Sequence, residues 1–239
     1  MTLTEEEVAR IQGCFTEPAY RDDVDNGVLD KALQENRAFN RWYHTNTRAH
    51  KRDGYRSVTL TLKKTGRIPG DVSDEQLEAI ADLADRYSFG ELRNTHQQNM
   101  VLSDVATDDL FELWEKLDAL GMATPNLGLL TDIVACPGGD LCALANAKSV
   151  PVAEGIQRRF DDMDYVHDLG PLDINISGCM NACGHHHIGH IGILGVDKKG
   201  KEFYQITLGG RGDRESRVGE KLGPSFESDQ ITDVVENII

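Results

Sequence analysis

Cysteine is scarce in this chain: five among 239 residues. That excludes a disulfide scaffold, which needs dense pairing in a small body. Positive charge is also short. Lys and Arg number 25 against 40 Asp and Glu, for a formal charge of -15. The balance argues against a nucleic-acid partner, because phosphate binding needs clustered cations, and against docking on an anionic membrane. No apolar run reaches the roughly eighteen residues of a membrane span. The opening Met-Thr-Leu-Thr-Glu-Glu-Glu lacks the basic and apolar regions of a signal peptide, so a cytoplasmic location is expected. Low-complexity tracts and short-period repeats are missing. What is present, 39% hydrophobic residues and 23 glycines, suits an ordered protein of one large domain or two small ones.

Residues 1–50 read as a polar, loosely helical leader, in which Phe39, Trp42 and Tyr43 concentrate aromatic surface able to dock it on the body. Between 51 and 125 the pattern changes. Val58, Leu60 and Leu62 alternate with polar neighbours as in a strand with one buried face. Ser73 or Asp74 can cap a helix whose stripe is Leu77, Ile80, Ala81, Leu83 and Ala84. Strands follow over 91–95 and 100–102, then a helix from Thr107 that Gly121 closes. This order is most of a ferredoxin-like β-α-β-β-α-β unit. Residues 126–239 form a second section: a helix over 141–160 that Pro151 breaks or restarts, strands over 173–177, 189–196 and 203–208, a hairpin turn at Lys198-Lys199-Gly200, and a helix over 228–239. The expected fold class is α+β.

Four of the five cysteines are concentrated in that second section as Cys136-x5-Cys142 and Cys179-x3-Cys183. Four thiolates can hold an iron–sulfur cubane, one to each iron. Pro137, Gly138, Gly139, Gly178 and Gly184 flank them, and small residues let backbone N–H groups approach bound sulfide. Inert buried thiols and a structural zinc site compete with this reading, although zinc pairs are commonly two to four residues apart. Nothing marks one cysteine as a lone nucleophile, and no catalytic residue stands out. His185, His186, His187 and His190 crowd the same segment, either as a polar loop or as donors beside an anionic site. Cys14 reads as an unassigned thiol.

The segments Ala135-Cys136-Pro-Gly-Gly-Asp-Leu-Cys142-Ala-Leu-Ala and Asn175-Ile-Ser-Gly-Cys179-Met-Asn181-Ala-Cys183-Gly-His-His resemble the sirohaem and iron–sulfur domain of sulfite and nitrite reductases. Leu92-Arg93-Asn-Thr95-His-Gln-Gln98-Asn99 resembles a stretch of the ferredoxin-like half-domain in the same enzymes, and Trp42 to Leu62 looks like its entry. The resemblance runs over roughly residues 40–210. It implies a ferredoxin-like half-domain followed by a sirohaem/iron–sulfur-binding α+β domain, with a [4Fe–4S] cluster on Cys136, Cys142, Cys179 and Cys183. It further implies that Cys183 bridges the cluster to sirohaem iron, that Asn181 lies near the macrocycle, and that Arg93, Thr95 and Gln98 are cofactor-binding, with Arg93 and Gln98 holding its carboxylates. A guanidinium fork suits that pairing.

Such enzymes have two pseudo-symmetric halves, and this chain resembles only the second. Lys63-Lys64 and the Arg211, Arg214, Arg217 loop are weak substitutes for the missing substrate-side cations. Three explanations stay open: the C-terminal part of a longer protein, a stand-alone sirohaem protein completed as a homodimer, or a subunit whose partner supplies the other half. The implied activity is six-electron reduction of sulfite or nitrite, a small inorganic anion, fed by a ferredoxin or flavoprotein donor. A cubane-only electron carrier and a zinc-stabilised interaction domain are the alternatives.

Overall fold

The computed structural model describes residues 2–239. Three helices open the chain: α1 (Glu5–Gln12), α2 (Asn26–Glu35) and α3 (Arg37–Asn46). Thr4, Asp25 and Asn36 cap them with side-chain oxygens that accept first-turn N–H groups, which otherwise lack partners. α1 buries nothing. α2 and α3 bury Leu29, Phe39 and Trp42, and Phe39 stacks on Trp42 while meeting Phe111 edge-on. The leader's aromatic group therefore docks as expected. From residue 26 onward the leader shares the core of the half-domain that follows.

That half-domain comprises β1 (Thr47–Ala49), β2 (Tyr55–Leu60), α4 (Asp74–Tyr87), β3 (Leu92–Asn94), β4 (Met100–Ala106) and α5 (Leu110–Ala119). Its sheet is antiparallel in the order β1-β2-β4-β3. α4 starts at a capping box in which Ser73 Oγ accepts Gln76 N–H and Gln76 Oε1 accepts Ser73 N–H, a reciprocal arrangement that satisfies two donors. Ile80, Leu83, Leu113 and Leu117 share one core with Val58, Leu60 and Leu102. The alternation over 58–62 predicted one buried face, yet Thr59 and Thr61 are buried too. The chain beyond α5 runs against them: Thr61 N donates to Met122 O, and Thr61 Oγ1 to Thr124 O.

The second unit contains β5 (Val134–Ala135), α6 (Val150–Arg159), α7 (Met163–Leu169), β6 (Ile174–Ser177), β7 (Ile191–Lys198), β8 (Lys201–Leu208), β9 (Glu220–Lys221), β10 (Phe226–Glu227) and α8 (Ile231–Ile238). Its sheet runs β10-β8-β7-β6-β5, with β9 also on β8. β5, β6 and β7 are parallel. β7 and β8 form a hairpin whose Lys199 and Gly200 have φ of 59° and 80°, the left-handed pair that a tight twisted hairpin demands. Val152, Ile156, Ile231 and Val235 join Ile174, Ile176, Ile193 and Ile206 in its core.

The helix predicted over 141–160 is corrected. Residues 141–149 are irregular, and α6 begins at Val150 with Pro151 in its first turn. Proline tolerates that position because the N–H it lacks has no helical partner there. No helix among the described residues is long and apolar enough to cross a membrane.

The two units meet at a buried ion pair. Lys63 Nζ, with a fully buried side chain, lies 3.2 Å from Asp132 Oδ1 and donates to Gln97 O at 2.8 Å. Asn99 Nδ2 donates to the same Asp132 oxygen at 3.0 Å, and Gly128 N to the other at 3.0 Å. Burial pushes the Lys63 ammonium pKa down while Asp132 opposes that shift. Lys63→Met leaves a buried carboxylate without its counter-charge, and stability should fall by about 3–5 kcal/mol in urea denaturation. Lys64→Met, at the exposed neighbour, should move it by no more than about 0.5 kcal/mol. Equal effects from the two variants would refute the pair's role.

Candidate iron–sulfur site

Parallel pairing brings the two cysteine loops together. Val134 and Ala135 of β5 register with Asn175 and Ile176 of β6, so both strands end at the same edge of the sheet. Cys136 leaves β5 there, its N–H on Ile176 O at 3.1 Å. Gly178 and Cys179 leave β6 beside it. Open sheets carrying parallel strands place ligands at this carboxyl edge.

Gly178 ties the loops. Its N–H points at Cys136 Sγ from 3.0 Å, and its carbonyl accepts Asn146 N and Ala147 N at 2.9 and 3.0 Å. A Cβ on Gly178 would stand 2.6 Å from Ala147 O and 2.8 Å from Gly138 Cα. Gly138 has a φ of 58°. Ser149 Oγ lies 3.5 Å from Cys136 Sγ. On the other loop, Ser177 Oγ accepts Gly184 N at 3.1 Å and Asn175 Nδ2 donates to Gly184 O at 2.9 Å. Ala182 and His185 adopt φ of 57° and 55°, a conformation that residues with side chains adopt mainly where surrounding contacts enforce it.

Cys179 is buried, Cys136 and Cys142 are half-buried, and Cys183 is exposed. Asn181 is exposed beside Cys183, as is Met180, at 82%. Cys14 is exposed in the leader, remote in sequence from these loops. Among the described residues no three Cys, His, Asp or Glu side chains converge tightly enough to hold a single metal ion. The donor set nonetheless fits an iron–sulfur group: four thiols on two stitched loops, a backbone N–H already aimed at one sulfur, and a cradle that a single Cβ would obstruct.

The histidines divide. His186 is buried with Nδ1 unpartnered, its ring centroid 3.9 Å from that of His187. Burial, and then His187, pull its pKa down to about 4. His190 Nδ1 accepts Asp173 N–H at 2.9 Å. His185 and His187 are exposed.

Arg93 lies on β3, exposed, paired with Glu91 at 2.8 Å. Thr95 Oγ1 accepts Asn99 N–H at 3.1 Å within the β3–β4 turn. Gln98 turns the other way: its Nε2 donates to Ala135 O at 2.7 Å and its Oε1 accepts Ala135 N–H at 3.0 Å. Arg211 is paired with Asp213 and Glu215, and Arg217 Nε donates to Gly209 O at 2.6 Å, so two of that loop's three arginines are engaged locally. Sequence reasoning missed Ser149, and it gave no role to Asn175 and Ser177, which stand inside the segment that carries the resemblance. Ser149 is thirteen positions from Cys136, and no short motif links the two.

This arrangement joins a ferredoxin-like half-domain to a unit whose two cysteine loops suit an iron–sulfur group. Residues 49–120 match the nitrite/sulfite reductase ferredoxin-like half domain, and residues 129–239 match the nitrite and sulphite reductase 4Fe-4S domain. The chain belongs to the nitrite and sulfite reductase family. It is 33% identical over 181 residues to sulfite reductase [ferredoxin] 2 of Mycolicibacterium paratuberculosis, a match covering 72% of this chain and 32% of that protein. It is 29% identical over 246 residues to the chloroplastic ferredoxin–nitrite reductase of Zea mays, covering 92% of this chain and 40% of that one. The solved Mycobacterium tuberculosis NirA protein superposes with a TM-score of 0.65 at 29% identity, covering 82% of this chain and 36% of that chain. This chain thus spans well under half the length of these relatives.

Two outcomes follow. Gly178→Ala forces the loops apart against backbone atoms, so it should cost roughly 1–3 kcal/mol in urea denaturation and lower the iron bound per chain after reconstitution. Unchanged iron content would refute the cradle. For His186 the folded pKa of about 4 lies below the ordinary 6.5. The unfolded chain therefore holds more protons between those values, and stability falls as pH drops through that window. In His186→Phe that component should vanish, so its urea midpoint should fall less than wild type's between pH 7 and pH 4.5.

Proposed function

We propose that this chain is the cluster-bearing, C-terminal half of a sirohaem-dependent sulfite or nitrite reductase. The observation that carries the reading is the stitched pair of cysteine loops, with Gly178 N–H directed at Cys136 Sγ, inside the segment matching the family's 4Fe-4S domain. Cys136, Cys142, Cys179 and Cys183 would hold the [4Fe–4S] cluster. Exposed Cys183 would serve as the ligand shared with sirohaem, and exposed Asn181 would face the macrocycle. Exposed Arg93 has only a surface partner in Glu91, which leaves its guanidinium free to exchange onto a cofactor carboxylate at small cost. Thr95 shapes the turn beside it.

The bound cofactors supply the six-electron redox chemistry when loaded. This chain's own residues orient and insulate. Gly178 N–H and Ser149 Oγ place hydrogen-bonding groups against Cys136 Sγ and fix its position. Buried Cys179 is shielded from water. His185 and His187 are exposed next to the Cys183 loop. Electrons would come from a donor of the kind named for the relatives, ferredoxin. The substrate-side cations would come from another half, whether on a longer chain, a partner subunit or a second copy. The acidic balance, -15, supports a source outside these residues.

The reading is tested by anaerobic reconstitution of the full chain with iron, sulfide and sirohaem. Expected are acid-labile sulfide with a broad brown shoulder, and a Soret band with red-region bands. Cys183→Ser should remove the spectroscopic coupling between the two cofactors. A chain that takes up neither iron nor sulfide would sink the proposal. A shoulder without a Soret band would point to a cubane-only carrier.

A further inference from the structure

β5, the strand that delivers Cys136, is two residues long and lies at one edge of its sheet. One side of Ala135 faces β6. The N–H and C=O on its other side would be left without partners although Ala135 is 5% exposed, and a buried backbone donor and acceptor demand satisfaction. Gln98 meets both. Its Nε2 donates to Ala135 O at 2.7 Å and its Oε1 accepts Ala135 N–H at 3.0 Å. A primary amide presents the same donor–acceptor pair as a strand would.

The side chain is brought there by an enforced turn. Thr95 N donates to Asn99 O at 2.8 Å and Gln98 N to Thr95 O at 3.2 Å, and Gln98 sits at φ 58°. Gly70 packs against it so closely that a Cβ would stand 3.0 Å from Gln98 Cβ. The next residue, Asn99, holds Asp132 at 3.0 Å, so one turn of the half-domain grips the approach to Cys136 at two points. The residue after Ala135 is Cys136.

We propose that Gln98 is a positioning residue for Cys136. It completes the free edge of β5 and thereby fixes where the Cys136 sulfur stands, in place of the contact to a cofactor carboxylate that the resemblance implied. The inference rests on the proposed function for Cys136 being a cluster ligand. The clamp itself is a property of the polypeptide.

The test uses the metal-free full chain with Gln98→Ala and Gln98→Gly. The glycine variant removes the amide yet suits the positive φ, so it separates loss of the clamp from a spoiled turn. Peptide-resolved iodoacetamide labelling should show Cys136 reacting about tenfold faster in both variants, and amide exchange at Ala135 should accelerate about tenfold. Cys14 and Cys142 should label as in wild type. Unchanged Cys136 labelling and Ala135 exchange in both variants would overturn the proposal. So would equal acceleration at all cysteines, which is general loosening rather than positioning. In a second arm, a reconstituted Gln98→Gly cluster should bleach faster in chelator than wild type. Wild-type chain that takes up no iron or sulfide would defeat the functional reading, and the labelling and exchange results would still decide the clamp.

Discussion

The carboxylate of Asp132 is the constraint on which the arrangement depends. It is nearly fully buried, and three groups from different parts of the chain converge on it: Lys63 Nζ, Asn99 Nδ2 and Gly128 N. Desolvating a Lys–Asp pair costs several kcal/mol, and the mutual attraction offsets this only when the remaining lone pairs are also occupied. Here they are. Such a pair does more for geometry than for net stability. It ties the ferredoxin-like half-domain to the segment leading to Cys136, and a placement that broke it would strand a buried charge.

From that fixed point the site is built by close backbone approach. β5 and β6 are parallel, so their ends deliver Cys136 and Cys179 to one edge. The loops beyond them then interlock without intervening side chains. Gly178 lies between Gly138 and Ala147, and Gly195 of β7 packs so near that a Cβ would meet Gly178 O at 2.8 Å. The glycines cost conformational entropy and give N–H groups access to sulfur in return. The fold is thus closely packed behind the cysteines and exposed at Cys183 and Asn181.

Much of the fold was legible from local rules. The Ser73 cap, the Ile80, Leu83 and Ala84 part of the α4 stripe and the Lys199-Gly200 turn each encode their structure within a few residues, whereas Leu77 and Ala81 of that stripe are exposed. The helix predicted over 141–149 was not legible, because its alanines and leucines favour helix locally while Asn146 and Ala147 give their N–H groups to Gly178 O, a partner distant in sequence. The buried face of Thr59 and Thr61 escaped for a like reason, since residues 122–124 cover it. Of the candidate site, the cysteines and their glycines stood out by spacing. Ser149, the roles of Ser177 and Asn175, and the bonds from Gln98 to Ala135 did not, because they depend on contacts made across the tertiary structure.

The sequence by itself determined the donor set: two cysteine pairs in order, each with small neighbours, on a chain of net charge -15. It determined the elements as well, since capping, periodicity and turn chemistry act over a few residues. Only the tertiary structure decided which way side chains of mixed character are spent. Lys63, judged a weak substitute for substrate-side cations, is buried against Asp132. Gln98, read as a cofactor contact, pairs with the backbone of Ala135. The physical reason is common to both. A polar side chain goes where burial would otherwise leave a partner unsatisfied, and that partner is chosen by packing between distant segments.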